Sequence, residues 1–256
     1  IGLEVAENLA AKGVKTTVID FAPHVLPNFL DPEMSEFVEN RMAEAGVMPL
    51  TNVALEGVEG AEKVEKVLTS KRAMKADALV LAIGIRPNTA FLEGSGIEMF
   101  KGTILTDGHM RTNAEDIYAA GDCAMVTNRQ TGKPAWSPMG STANISARVL
   151  AENLAGKDVT YSGVLGTGVA KLPGGINAGR TGLTETAARA EGYDVVTATA
   201  AVDDKAHYYP GADVFLIKLT ADRASRKLLG VQVLGPGAVD KVTDIGVTAI
   251  SLGAAV

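Results

Sequence analysis

An apolar-faced helix that passes almost directly into a strand ending in an acid constrains this chain more than any other feature. Leu3, Val5, Ala6, Leu9 and Ala10 fall at helical spacing between Gly2 and Lys12, and Gly13 stands where a helix terminator belongs. Lys15 to Asp20 (KTTVID) follows as a buried strand closed by a carboxylate. Asp31-Pro32-Glu33 then opens a second helix, with Asp31 as N-cap, Pro32 at its first position and Glu33 in its first turn. Met34, Phe37, Val38, Met42 and Ala45 form its apolar side, and Gly46 stops it. This alternation predicts an α/β layer. Strands are expected at Val64–Thr69, Arg72–Lys75 and Ala78–Ile83, the last strongly buried and running into Gly84-Ile85-Arg86-Pro87-Asn88.

The texture changes along the chain. Asp116 to Ala120 reads as a short strand delivering Gly121-Asp122, and a Pro-, Gly- and Ser-rich loop precedes a helix from Thr142 to Leu154. Val164–Ala170 and Gly179–Leu183 look extended, and Thr184 caps a helix carrying Glu185 in its first turn. Val195–Val202 is a strand. Asp213–Thr220 alternates Phe215, Ile217 and Leu219, while Leu228–Leu234 alternates Leu229, Val231 and Val233, so the pair reads as a hairpin closed by Ala221–Arg226. Val239–Leu252 closes with a helix, which makes the last third α+β.

Composition excludes several classes. The formal charge of −6 lacks the clustered positive charge of a nucleic-acid surface. The longest apolar run, Ala78 to Ile85, is far short of the ~20 residues that span a membrane. One cysteine, Cys123, excludes a disulfide scaffold and fits a reducing, cytoplasmic compartment. The chain opens at Ile1, inside a helix start, and is expected to be a fragment.

Two constellations carry chemistry. A glycine before a helix lets a pyrophosphate approach the helix's positive end, and an acid closing the next strand can take ribose hydroxyls. Gly2 and Asp20 fit that pattern; helix packing at Gly2 and a solvated turn at Asp20 fit it too. If Asp20 does hold a ribose, its charge favours NAD over NADP by repelling a 2′-phosphate. Gly121-Asp122 places a carboxylate at a loop start, where it either accepts from a polyol or caps a turn.

Taken in order, Ile1-Gly2-Leu3-Glu4-Val5-Ala6-Glu7, Leu81-Ala82-Ile83-Gly84-Ile85-Arg86-Pro87-Asn88, Thr106-Asp107 and Ile117-Tyr118-Ala119-Ala120-Gly121-Asp122-Cys123-Ala124 resemble the FAD- and NAD-dependent pyridine nucleotide-disulfide oxidoreductases. Gly182-Leu183-Thr184-Glu185, His207-Tyr208-Tyr209-Pro210-Gly211 and Leu229-Gly230-Val231-Gln232-Val233-Leu234-Gly235 extend the resemblance, the last most similar to the coenzyme A-disulfide reductase branch. The resemblance covers essentially the whole chain. It implies a partial Rossmann-like NAD domain over residues 1–83, the second half of an FAD domain over 84–160 and an α+β dimerisation domain over 161–256. The amino-terminal FAD half with its GxGxxG and redox cysteine, the first glycines of the NAD motif and the carboxyl-terminal end would lie outside the chain.

By the same resemblance, Glu4 lies near nicotinamide and flavin, Asp20 holds the NAD ribose, and Gly84 approaches the NAD. Gly121 and Asp122 meet the FAD ribityl chain, and Ser141-Thr142-Ala143 begins a helix aimed at the flavin, whose dipole favours negative charge on the reduced ring. Ala147 departs from the glycine that relatives often carry before the arginine matched by Arg148. One of Tyr208 and Tyr209 would reach the other subunit's active site in a homodimer and serve a leaving thiolate; the alternative is a strand start, where aromatics are favoured. The implied activity passes electrons from NADH through FAD to a disulfide-type substrate such as coenzyme A disulfide or polysulfide. An NADH oxidase or peroxidase-like flavoenzyme is the alternative. The chain alone could also be a non-catalytic dimerising module. No metal, nucleic acid or membrane is implied. Cys123 is expected to be a buried small hydrophobe, not the redox thiol.

Overall fold

The computed structural model describes all residues from 1 to 256. They form two compact units, residues 1–83 with 167–256, and residues 84–166. The first unit begins with α1 (Gly2–Ala11), β1 (Thr17–Ile19), α2 (Pro32–Glu44) and β2 (Met48–Leu50). β1 and β2 pair in parallel, with α2 as the crossover between them, so this part is α/β. β3 (Leu55–Glu59), β4 (Lys66–Thr69) and β5 (Ala73–Lys75) follow as an antiparallel meander.

The second unit holds β6 (Met99–Phe100), β7 (Thr103–Leu105), β8 (Ala124–Thr127) and β9 (Pro134–Trp136) in sequential order, then α3 (Gly140–Leu154). Its β7–β8 pairing is parallel and the others antiparallel. Its small core gathers Ile104, Ala119 and Ala124.

The chain then returns to the first unit with β10 (Gly168–Leu172), β11 (Ile176–Gly182), α4 (Glu185–Ala190), β12 (Val195–Asp203), β13 (Val214–Asp222), β14 (Leu228–Gly235) and α5 (Val239–Ser251). The strands form one antiparallel sheet in the order β10-β11-β14-β13-β12. Both of its faces are covered. Phe215, Ile217 and Val233 meet Val239 and Val242 of α5 on one side. Leu172, Ile176, Ala178 and Leu234 meet Met34, Val38 and Met42 of α2 on the other. Those three α2 side chains are fully buried and contribute about 2 kcal/mol each. Cover on both faces explains why every residue of β14 is buried.

Four expectations are corrected. Ala78–Ile83 forms no strand, and Val80, Leu81 and Ile83 are 59, 61 and 88% exposed. An apolar run supplies appetite for burial but no ladder partner, and none pairs with it here. Asp116–Ala120 reduces to an isolated bridge between Arg111 and Tyr118, because the chain turns at Asp116 with φ of +59°. In α2, Phe37 and Ala45 face outward, leaving the narrower stripe Met34, Val38 and Met42 to the core. Asp31 does stand at the N-cap of α2, but its carboxylate bonds elsewhere.

Candidate functional site

α1 leads through a short link into β1 and packs against it, so the chain reverses and the start of α1 lies at the same end as the finish of β1. Gly2 and Asp20 therefore share one end of this unit. No side chain caps α1, and its first intrahelical bond runs from Val5 N–H to Ile1 O, which leaves the first-turn N–H groups directed outward. A Cβ on Gly2 would stand 3.1 Å from the Ala82 Cβ, so glycine lets this helix approach the segment beside it. Asp20 is fixed by its backbone, its N–H donating to Leu50 O at 2.9 Å and its carbonyl accepting from Val53 N–H at 3.0 Å. Its Oδ1 accepts from Ala22 N–H at 2.9 Å, while Oδ2 has no protein donor. A held carboxylate with one open oxygen, at the same end as an uncapped helix start, fits a ribose diol and a pyrophosphate. Glu4 is exposed in the first turn of α1.

In the second unit, Gly121 turns the chain at φ of +91° and Asp122 follows it, exposed, ahead of β8. Trp136 Nε1 donates to the Asp122 carbonyl at 2.8 Å, tying that turn to the end of β9. One residue on, the Ser137 and Thr142 hydroxyls bond at 2.8 Å across the start of α3. Asp122 and Ser141-Thr142-Ala143 thus belong to one linked patch of this unit, with no side chain capping α3. An open carboxylate beside an open helix start fits a polyol attached to a ring that gains negative charge. Gly84 has a φ of +106°, which favours glycine, and a Cβ there would meet nothing within 4 Å. Cys123 is partly buried against the Ile104 cluster, its Sγ 3.6 Å from the Ala120 carbonyl.

Tyr208 and Tyr209 do not begin a strand. They occupy the turn between β12 and β13, 75 and 56% exposed, with rings 5.2 Å apart and tilted by 30°. His207 meets Tyr208 edge-on at 5.7 Å.

A polar rung across the five-stranded sheet escaped the sequence reading. Gly168, Arg180, Gln232, Lys218 and Thr199 are successive register partners, one on each strand. Register partners share a face, here the face toward α2. Arg180 Nη1 donates to Asn28 O at 2.9 Å, and its guanidinium lies 5.9 Å from the Phe29 ring centre. Gln232 Oε1 accepts from Asp31 N–H at 2.8 Å, and its Nε2 donates to Asp31 Oδ2 at 2.6 Å. Lys218, 1% exposed, reaches Asp31 at 3.0 Å and Glu185 at 2.8 Å, and also pairs with Glu33.

Asp31 completes the arrangement by capping a helix other than its own. It accepts from the N–H groups of Glu185 at 2.9 Å and Thr186 at 3.1 Å, at the start of α4. Burial raises the Asp31 pKa, but these N–H groups, Gln232 and Lys218 outweigh it and bring it down to about 2. Burial pushes Lys218 down, but its carboxylate partners outweigh that and hold it above its usual value. The carboxylate oxygens of Asp31, Glu33 and Glu185 lie within 4.8 Å of one another, and the Lys218 ammonium bridges them where a metal ion would sit. One signal in the sequence pointed here: Gln232 is the lone polar side chain in the apolar run Leu228–Leu234, and a polar group in a strand buried on both faces needs a partner.

No helix is long and apolar enough to cross a membrane. The family model for pyridine nucleotide-disulphide oxidoreductases matches residues 1–143, and the model for their dimerisation domain matches residues 175–256. A NAD(P)H coenzyme A polysulfide/persulfide reductase of Pyrococcus horikoshii is 37% identical over 94% of this chain and 54% of its own length. The structure of a NAD-dependent persulfide reductase from A. fulgidus superposes with a TM-score of 0.94 at 37% identity, covering 100% of this chain and 47% of that one. An engineered water-forming NADPH oxidase bound to NADPH gives a TM-score of 0.91 at 25% identity, covering 99% and 56%. The chain spans about half the length of the curated relatives it matches. With one family model over more than half of its residues and the dimerisation model over most of the remainder, the chain belongs to the pyridine nucleotide-disulphide oxidoreductases.

Proposed function

We propose that this chain is part of a homodimeric flavoenzyme that passes electrons from NADH through FAD to a small disulfide-type substrate, such as coenzyme A disulfide or a polysulfide. The observation that carries the coenzyme half is the shared end of Gly2 and Asp20. The engineered NADPH-bound oxidase has a glycine and, eighteen positions later, an aspartate among its five replaced residues. Gly2 and Asp20 are separated by the same 20 − 2 = 18 positions. Its other changes fall one, two and seven positions beyond the aspartate, the spacing of Phe21, Ala22 and Pro27 from Asp20. Loss of a carboxylate in a protein that holds NADPH is what repulsion between Asp20 and a 2′-phosphate requires.

Residues 1–83 then serve the NAD, 84–160 the FAD and 161–256 the dimer. Bound NADH supplies a hydride and bound FAD accepts it. The chain's own groups position these coenzymes: α1 faces the pyrophosphate, Asp20 Oδ2 takes a ribose hydroxyl, and Glu4 and Gly84 border the nicotinamide. Gly121 and Asp122 hold the ribityl chain, and the α3 start at Ser141-Thr142-Ala143 faces the flavin. The redox thiol is a cysteine other than Cys123. The single cysteine of this chain suits a reducing, cytoplasmic compartment.

Asp20→Ala in the complete enzyme is expected to lower the NADH-to-NADPH preference in kcat/KM about tenfold, the worth of one hydrogen bond to a charged group. An unchanged preference in steady-state kinetics overturns the ribose assignment.

The persulfide-reductase relatives favour a disulfide-type acceptor over oxygen. An exposed phenol pair on a turn is suited to reach a second subunit and donate a proton to a leaving thiolate. Replacing both Tyr208 and Tyr209 with Phe is expected to slow disulfide reduction at least about tenfold while stopped-flow flavin reduction by NADH keeps its rate. Equal loss in both half-reactions would mean that the pair acts structurally.

A further inference from the structure

The segment from Asp20 to Asp31 carries the ribose acid at one end and the polar rung's contacts at the other. Its near end is fixed by the β1–β2 ladder. Its far end runs into α2, whose Met34 and Ser35 N–H groups donate to Asp31 O, and is also held by the five-stranded sheet. Gly168 packs its backbone on the Phe29 ring, where a Cβ would come within 3.1 Å of Cε2. Arg180 takes the Asn28 carbonyl, and Gln232 and Lys218 take Asp31. Between the two ends, the Val25 N–H donates to Glu39 Oε1 of α2 at 2.9 Å, and Leu26 accepts from both Phe29 and Leu30 at φ of +55°. Pro27, at the spacing of one of the oxidase's replaced positions, immediately precedes the carbonyl that Arg180 grips.

We propose that Arg180, with Gln232 and Lys218 beside it, is a positioning residue for coenzyme selection: a polar rung of the dimerisation sheet sets the conformation of the segment that presents Asp20 and the residues next to it to the adenosine ribose. The proposal rests on the coenzyme reading above. Its geometry is its own. Arg180 is the member to test, because it is partly exposed and its removal leaves the Asp31–Lys218 pairing in place. Its Nε and Nη2 both donate to Gly182 O at 3.2 and 2.9 Å, which fixes the guanidinium plane and aims Nη1 at Asn28.

The experiment uses the complete enzyme with Arg180→Met, Arg180→Lys and Asp20→Ala. Arg180→Met is expected to raise KM for NADH about fivefold, which corresponds to about 1 kcal/mol, with kcat at saturating NADH within about twofold of the parent. The NADH-to-NADPH preference should fall in the same direction as in Asp20→Ala. Amide exchange over residues 22–30, read by mass spectrometry without coenzyme, should quicken. Arg180→Lys, which restores one donor but not the fork, should recover part of the KM. A protein with altered melting temperature but unchanged KM, preference and exchange over 22–30 would overturn the inference alone, provided Asp20→Ala shifts the preference. An unaltered preference in Asp20→Ala would overturn the coenzyme reading and the inference with it.

Discussion

Lys218→Met is expected to cost the protein about 3–5 kcal/mol of folding stability, because it removes the buried ammonium that pairs with the buried Asp31 and leaves that carboxylate, with Glu33 and Glu185 beside it, in place. Lys218 and Asp31 are each 1% exposed. Methionine fills much of the same stem, so the loss is electrostatic rather than a cavity. Arg189, paired with Glu185 at 2.7 Å, and the charge of Arg180 near Asp31 offset part of the repulsion. The effect has a pH signature that a packing defect lacks. In the parent, Asp31 titrates near 2 against an unfolded value of 3.8, so it contributes about 2 kcal/mol that is present above pH 4 and lost as pH falls through 2. In the variant that contribution is smaller, because Lys218 is one of the groups that lower Asp31, beside the Glu185 and Thr186 N–H groups and Gln232. The variant therefore has less stability to lose as acid protonates Asp31. The difference in urea midpoint between the two proteins should be widest near pH 7 and narrow toward pH 3. A midpoint that does not move, or a gap that holds constant across that range, would show that the ammonium is not what stabilises the cluster.

What the sequence disclosed and what it withheld divide along physical lines. α1, α4, α5 and the β13–β14 hairpin were legible because their signals are local: spacing of apolar residues, a hydroxyl at Thr184 that does accept from Ala187 N–H at 3.1 Å, and a short turn between two alternating runs. Ala78–Ile83 was misread because strand formation is decided by neighbours, which six consecutive residues do not encode. Lys218 drew no reading at all, for the opposite reason. The alternation of Phe215, Ile217 and Leu219 implied one wet face, and Lys218 sits on that face, but α2 covers it. Asp31 shows the limit of a motif: its position satisfies the N-cap rule for α2, yet its carboxylate serves the start of α4, 154 residues later. Gly2, Asp20 and Asp122 could be picked out by order and spacing, because family motifs are linear. The polar rung that meets Asn28 and Asp31 could not, because Arg180 and Gln232 lie 152 and 201 residues from those partners in the chain.

Gly230→Ala is expected to cost about 4 kcal/mol or more and to leave the complete protein without a cooperative unfolding transition under conditions where the parent is folded. The reason is geometric and does not involve backbone dihedral preference, since Gly230 has no positive φ. Gly182 and Gly230 are register partners where β11 leaves β14, and Leu183 N–H donates to Leu229 O at 2.9 Å as the chain crosses. A Cβ on Gly230 would stand 1.8 Å from the Leu183 carbonyl oxygen and 2.8 Å from its carbon. Both are backbone atoms, so no rotamer change relieves the overlap. Moving Leu183 aside would shift Thr184 and the α4 start that Asp31 caps, so the strain would spread into the buried charge cluster instead of dissipating. Gly57→Ala supplies the contrast. Its Cβ would meet only a Leu68 methyl at 3.7 Å, an ordinary contact, and the change should stay within about 0.5 kcal/mol. If Gly230→Ala unfolds at the parent's urea midpoint, the glycines in Gly182-Leu183-Thr184-Glu185 and Leu229-Gly230 answer to something other than close backbone approach.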